Sequence, residues 1–241
     1  MDSNRIAALG DELYRALREC RTLDPLTERE PGISIDDAYH ISQRMVGLRV
    51  ERDGERVVGK KIGVTSKPVQ DMLGVFQPDF GFLTDAMEYP EGAHIPIAGN
   101  LIQPRAEGEI AFRLRSDLVG PGVTEADVLE ATATIIPCFE IVDSRIRDWQ
   151  IKIEDTVSDN ASCGVYVLGR DEVDPHVDPR GCRLGQEELE VVPVGGRVPD
   201  EPEVGVDAEV PEPRRHRLDV HAAVGPPELG VVVGQDAVHR L

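Results

Sequence analysis

The stretch RAEGEIAFRL, residues 105–114, places Glu107 and Glu109 two positions apart among residues that favour a strand. A strand sends alternate side chains to opposite faces, so the two carboxylates share one face. Side by side they repel, and burying them is costly. Carboxylate oxygens in such a set suit a hard cation: Mg²⁺, Mn²⁺ or Ca²⁺. A solvated strand face, where acidic residues are harmless, accounts for the same spacing. Glu140 strengthens the cation reading. It sits in the apolar run TIIPCFEIV, where an unpaired charge is expensive. A third carboxylate converging on the same cation would relieve all three charges. Gly108 between the pair would let backbone or ligand approach closely.

Other stretches carry weaker signals. In GKKIG, residues 59–63, Lys60 and Lys61 point to opposite faces if the stretch is a strand. Either both snorkel to solvent, or one points inward as charge partner or proton donor. In QPDFG, residues 77–81, Pro78 and Gly81 suggest a turn, and Asp79 either braces that turn or serves as a general base. SDNASCG, residues 158–164, is a polar turn whose groups could hydrogen-bond a substrate carboxylate. His40 and His94 lack partners at ligand spacing, and neither a Gly-rich phosphate loop nor a GxSxG elbow occurs.

The elements that must position these groups follow from periodicity. Ile6, Leu9, Leu13, Leu17 and Cys20 form a helical stripe over residues 3–20. Ser34 caps a second helix with Asp36 and Asp37 in its first turn, ending near ERDGE. RVVGKKIGVT reads as a strand, and SKPVQDML as a short helix capped by Ser66. MEYPEGAHIPI reads as a turn and an edge strand. Thr124 caps a helix over EADVLEAT, ATIIPCFEIVDSR is a buried strand, DWQIKIEDTVSDNAS an irregular connection, and CGVYVLG a further strand. Helices first and strands after indicate an α+β chain without βαβ repeats.

Bulk properties narrow the class. A formal net charge of −19 argues against nucleic acid or an anionic membrane surface as partner. No apolar run is long enough to cross a membrane, and MDSNRIAALGDELYRAL is a polar amphipathic helix rather than a signal peptide. Cys20, Cys138, Cys163 and Cys182 are widely spaced, which suggests reduced thiols in a cytoplasmic setting.

Taken in order, GERVVGKKIGVTSKPVQDMLGVFQPDFGFL, LIQPRAEGEIAF, CFEIVDSRIRDW and DTVSDNASCGVYVLG resemble the 2-keto-4-pentenoate (2-hydroxypenta-2,4-dienoate) hydratases of the fumarylacetoacetate hydrolase superfamily. The resemblance covers residues 5 to about 170. It implies N-terminal helices and a mixed β-roll. It also implies a divalent cation, Mg²⁺ or Mn²⁺, held by Glu107, Glu109 and Glu140. The family's active-site lysine matches Lys61, its loop aspartate Asp79, and the serine of DNAS Ser162, at the carboxylate end of the substrate. EGE stands where relatives commonly have EAE, which should leave the ligands in place. The implied reaction adds water to 2-hydroxypenta-2,4-dienoate to give 4-hydroxy-2-oxopentanoate, in catabolism of aromatic or sterol rings, by a homo-oligomer acting on a small 2-keto acid. The related 4-oxalocrotonate decarboxylase is the alternative enzyme, though SRIRDW followed by DNASCG looks more like the hydratase branch. The chain then divides into a helical capping region (1–75), a β-roll catalytic core (76–170) and a tail (171–241).

The tail departs from this pattern. Residues 171–241 contain no Phe, Tyr, Trp, Ile, Met, Lys, Ser, Thr or Asn, and they hold nine of the 18 prolines. Charge does not explain the contrast, because the tail is acidic like the rest, with 7 basic and 16 acidic residues. Apart from Cys182, every residue from 171 onward can be encoded by a codon beginning with G or C. A GC-rich gene read out of frame gives this composition, so we expect a frameshift between about residues 170 and 185; the other account is a low-complexity acidic tail. Either way the tail is expected to be disordered and not the family's normal C-terminus. A roll without its last strands would expose edges and core, and the chain would then be an inactive product. Resequencing codons 165–190 should reveal the change of frame; a clean in-frame read with a matching genomic tail would refute it.

Overall fold

A computed structural model describes residues 1–65, 67–76, 78–176 and 231–234. Ser66, the expected cap of the short helix, lies outside the described residues, as do Cys182 and most of the tail on which the expectation of disorder falls.

The first layer is helical. Helix α1 (Ser3–Arg18) lays Leu9 and Leu13 against Ile41, Met45 and Leu48 of α3 (Ile35–Asp53), with the single-turn α2 (Leu26–Arg29) adding Leu26. Ile6 and Leu17 flank this core, while Cys20 lies beyond the helix at φ 47°. Ser34 caps α3 reciprocally: its hydroxyl accepts from Asp37 N at 3.1 Å, and Asp37 Oδ2 accepts from Ser34 N at 3.1 Å.

The second layer is a mixed, open sheet. Its strands are β1 (Val57–Gly63), β2 (Asp79–Thr84), β3 (Glu88–Pro90), β4 (Arg105–Leu114), β5 (Thr132–Val142), β6 (Cys163–Leu168) and β7 (Val231–Gly234). Their order is β2-β1-β7-β4-β5-β6-β3, with β1/β7 and β3/β6 parallel and the other pairs antiparallel. The short β3 is an edge strand, as expected. Four tail residues form β7 and join β1 to β4, so strand structure appears inside the tail. Short helices α4 (Lys67–Leu73) and α5 (Glu125–Ala131) follow β1 and precede β5, and Thr124 caps the latter.

The connection 148–162, expected to be irregular, contains α6 (Ile153–Ser158). Its cause is tertiary. Buried Asp155 accepts from Lys152 N at 3.0 Å, starting the helix, and from Thr27 N and Oγ1 at 3.0 and 2.8 Å, tying it to α2. Apolar periodicity carries no trace of this. The layers are joined by buried Glu55, which binds Arg49 Nε at 2.8 Å and Thr84 Oγ1 at 2.6 Å.

The Met1 ammonium, 2.9 Å away, and then Ser34 hold the Asp37 carboxyl down to about 2. A depressed carboxyl adds stability above its unfolded value of about 3.9 and loses it as pH falls through the folded value. Asp37→Asn should lower the urea midpoint at pH 7, and the gap from the parent should close between about pH 4 and pH 2; a pH-independent gap would show that the carboxylate charge is not what matters.

Candidate metal centre

Strand register assembles the site. In the β4–β5 pair Glu107 lies opposite Glu140 and Glu109 opposite Cys138. Directly opposed residues share a face, as do residues two apart, so Glu107, Glu109 and Glu140 stand together. Their carboxylate oxygens lie within 4.8 Å of one another. Farther along the same face, Ala111, Ile136 and Cys138 join Leu83, Met87 and Tyr166 in the core beneath.

The face continues across the sheet. Ala111 pairs with Val233, Val233 with Lys61, Lys61 with Gly81, and Gly63 with Asp79. Lys61 and Asp79 are thus carried onto the glutamate face. Lys61 Nζ lies 3.0 Å from Glu140 Oε1 in a buried ion pair. Lys60 points the other way. Instead of snorkelling, it is buried with its ammonium 4.4 and 4.6 Å from the ring centroids of Phe80 and Phe82.

Asp79 is not in a turn but opens β2 opposite Gly63, and it is 4% exposed. The approach needs a glycine, since a Cβ at Gly63 would stand 2.3 Å from Asp79 Oδ1. Gly108, by contrast, faces open space rather than a close neighbour. That leaves room for a side chain at this position.

Electrostatics follow from burial. Burial raises the Asp79 carboxyl, against the pull of Lys61 and the nearby Gly63 and Asp79 amides. Burial also raises Glu140, opposed by Lys61 and assisted by Glu107. For Lys61, burial would lower the ammonium, but Glu140, Cys163 and Asp79 outweigh it, and the net shift is upward. A divalent cation fits this donor set: three convergent hard oxygens, two of them on glutamates less than 10% exposed.

Ser162 lies on the turn between α6 and β6. It is 3% exposed, and its Oγ has no hydrogen-bond partner among the described residues. Asn160, Ala161 and Ser162 all have left-handed backbone, φ 54°, 53° and 52°, which costs roughly 1–2 kcal/mol per non-glycine residue. The turn packs on β2: a Cβ at Gly81 would stand 2.5 Å from Asn160 O and 2.7 Å from Cys163 Sγ. Asn160 also brackets Phe82, accepting from its N at 2.7 Å and donating to its O at 2.9 Å.

Residue-by-residue reading missed the groups that hold this frame. Arg145, wholly buried, donates Nε to Asp159 Oδ1 at 2.5 Å. Burial pushes the Asp159 carboxyl up to about 6, with Arg145 and Ser144 opposing. Asp143 accepts from Ile102 N at 3.0 Å and Gln103 N at 2.7 Å, orienting the approach to β4. Charged residues inside CFEIVDSRIRDW were the available signal, but their partners lie elsewhere in the chain.

No protein-family model matches the chain. It is 65% identical over 175 residues to the 2-hydroxyhexa-2,4-dienoate hydratase of Comamonas testosteroni, covering 72% of this chain and 66% of that protein. It is 65% identical over 185 residues to the 2-hydroxypent-2,4-dienoate hydratase of Pseudomonas putida, covering 76% and 83%. The chain therefore spans just under two thirds of the first of these relatives. Among solved structures, 4-oxalocrotonate decarboxylase from Pseudomonas putida G7, complexed with magnesium and adipate, superposes with a TM-score of 0.71 at 30% identity, over 75% of this chain and 68% of that one.

Glu107→Ala and Glu140→Ala should each weaken Mn²⁺ binding at least about tenfold by calorimetry. Cation binding needs ionised carboxylates. With Glu140 raised, affinity should begin to fall above the ordinary glutamate value of about 4.3 as pH is lowered from 7.5; affinity constant down to that value would contradict the upward shift.

Proposed function

The chain belongs to the 2-keto-4-pentenoate hydratase family of the fumarylacetoacetate hydrolase superfamily, and on that premise we propose that it is a metal-dependent hydro-lyase. It adds water to 2-hydroxypenta-2,4-dienoate, or a homologue one carbon longer, to give the 4-hydroxy-2-oxo acid. The observation that carries the reading is the one-face convergence of Glu107, Glu109 and Glu140 beside Lys61 and Asp79.

Glu107, Glu109 and Glu140 would hold Mg²⁺ or Mn²⁺. Bound there, the cation would supply Lewis acidity to the substrate's oxygens. Lys61 and Asp79 move the protons. The 2-hydroxyl loses a proton and C5 gains one, leaving an α,β-unsaturated 2-oxo acid. Water then adds at C4, losing a proton, while C3 gains one. Burial raises the Asp79 carboxyl, so it holds a proton more readily than a solvated aspartate does. The Ser162 hydroxyl is available for the substrate carboxylate. The core from Leu83 to Tyr166 backs the face with apolar side chains and limits water there.

The setting we propose is the cytoplasm, in catabolism of aromatic or sterol rings. Cys20, Cys138 and Cys163 are free thiols, and among the described residues no helix is long and apolar enough to cross a membrane. The family resemblance implies an assembly of copies.

Identity of 65% to hydratases against 30% to the decarboxylase favours hydration over decarboxylation. With Mg²⁺ the chain should consume 2-hydroxypenta-2,4-dienoate, and Glu107→Ala should lower kcat/KM by about a hundredfold or more. Release of CO₂ from 2-oxohex-3-enedioate without hydration of the dienoate would overturn the choice. A non-cooperative, aggregated chain inactive on both substrates would make it a catalytically dead product.

A further inference from the structure

Arg145 touches no group assigned to the chemistry, yet its hydrogen bonds converge on the turn that carries one. Its guanidinium donates Nε to Asp159 Oδ1 at 2.5 Å, Nη2 to Asp159 O at 2.6 Å, and Nη1 to Cys163 O at 2.8 Å and to Asp143 O. Its backbone N donates to Asp159 Oδ2 at 2.8 Å. One fork therefore grips both ends of the 159–163 turn and the segment leaving β5. Between those grips lie the three left-handed residues Asn160, Ala161 and Ser162. Such backbone persists only where its surroundings over-determine it. What the turn presents is Ser162 Oγ, buried and without a hydrogen-bond partner among the described residues.

We propose that Arg145 is a positioning residue for the substrate's carboxylate end: its buried fork keeps Asn160–Ser162 left-handed and thereby sets where Ser162 Oγ stands. The inference rests on the reading of Ser162 as a substrate-binding residue. Lysine cannot substitute, because a single ammonium on a flexible stem cannot span acceptors at Asp143, Asp159 and Cys163 in one plane.

The test uses the full chain with Mg²⁺ and 2-oxopentanoate, a saturated analogue carrying the 1-carboxylate and 2-oxygen. Arg145→Lys, Ser162→Ala and the double variant are compared by calorimetry, with backbone hydrogen exchange followed in peptides covering 159–163. Arg145→Lys should speed exchange in that turn, weaken the analogue about tenfold and raise KM more than it lowers kcat, with Mg²⁺ affinity unchanged. Ser162→Ala should weaken the analogue comparably, and the double variant little further, because one change acts through the other. Unchanged exchange at 159–163, or penalties that multiply in the double variant, would overturn the proposal. A Ser162→Ala chain that binds the analogue like the parent sinks the assignment of Ser162 and the substrate half of the proposal, while the exchange data still judge the hold on the turn. If Arg145→Lys fails to fold, Asp159→Asn replaces it, removing the charge partner at nearly constant volume, with the same pattern expected.

Discussion

Three carboxylates on one face of an antiparallel strand pair is the constraint around which this sheet is arranged. Like charges that cannot separate must be neutralised, hydrated or held near a cation. The pleat allows no separation here: Glu107 and Glu109 are two residues apart on β4, and Glu140 is directly opposite Glu107 on β5. Lys61 answers part of the charge from three strands away, and its upward shift reflects the anionic groups around it. A bound divalent cation would add to that neutralisation. The glycines flanking this face are the spatial counterpart of the same demand, because Asp79 and the Asn160 turn come too close to β1 and β2 for any Cβ.

A second charge system supports the first without joining it. The Arg145–Asp159 pair is wholly out of solvent. Buried pairs add little net stability, but removing one partner costs about 3–5 kcal/mol because the other charge is stranded. Such a pair is better suited to fixing one conformation than to stabilising the fold. Here the conformation is a run of three left-handed residues that the chain would not adopt unaided. The same turn clasps Phe82 through Asn160, so β2, and with it Asp79, is braced from the side away from β1.

The link between Lys61 and the glutamates passes through β7, which comes from the tail. Composition marked that tail as foreign to the rest of the chain. A strand slot between β1 and β4 nevertheless accepts its VVVG segment, because ladder hydrogen bonds are made by backbone and β-branched residues suit the pleat. In this chain β7 puts β1 and β4 on one continuous ladder and so helps set the spacing between Lys61 and the glutamates.

The local facts were legible in the chain itself. The α1 stripe, the Ser34 and Thr124 caps, the strand over 105–114 and the shared face of Glu107 and Glu109 all follow from contacts between residues close in sequence, where backbone periodicity decides. Glu140 stood out as a charge in an apolar run, and resemblance gave Lys61, Asp79 and Ser162 their expected roles. Tertiary structure alone decided that Asp79 opens a strand rather than forming a turn, that Lys60 is buried on aromatic rings while Lys61 faces the carboxylates, that Asp155 starts a helix, and that Arg145 binds Asp159. Each of these depends on which distant segment supplies the partner. Periodicity fixes the direction of a side chain along its own element, but the register between elements determines what that side chain meets.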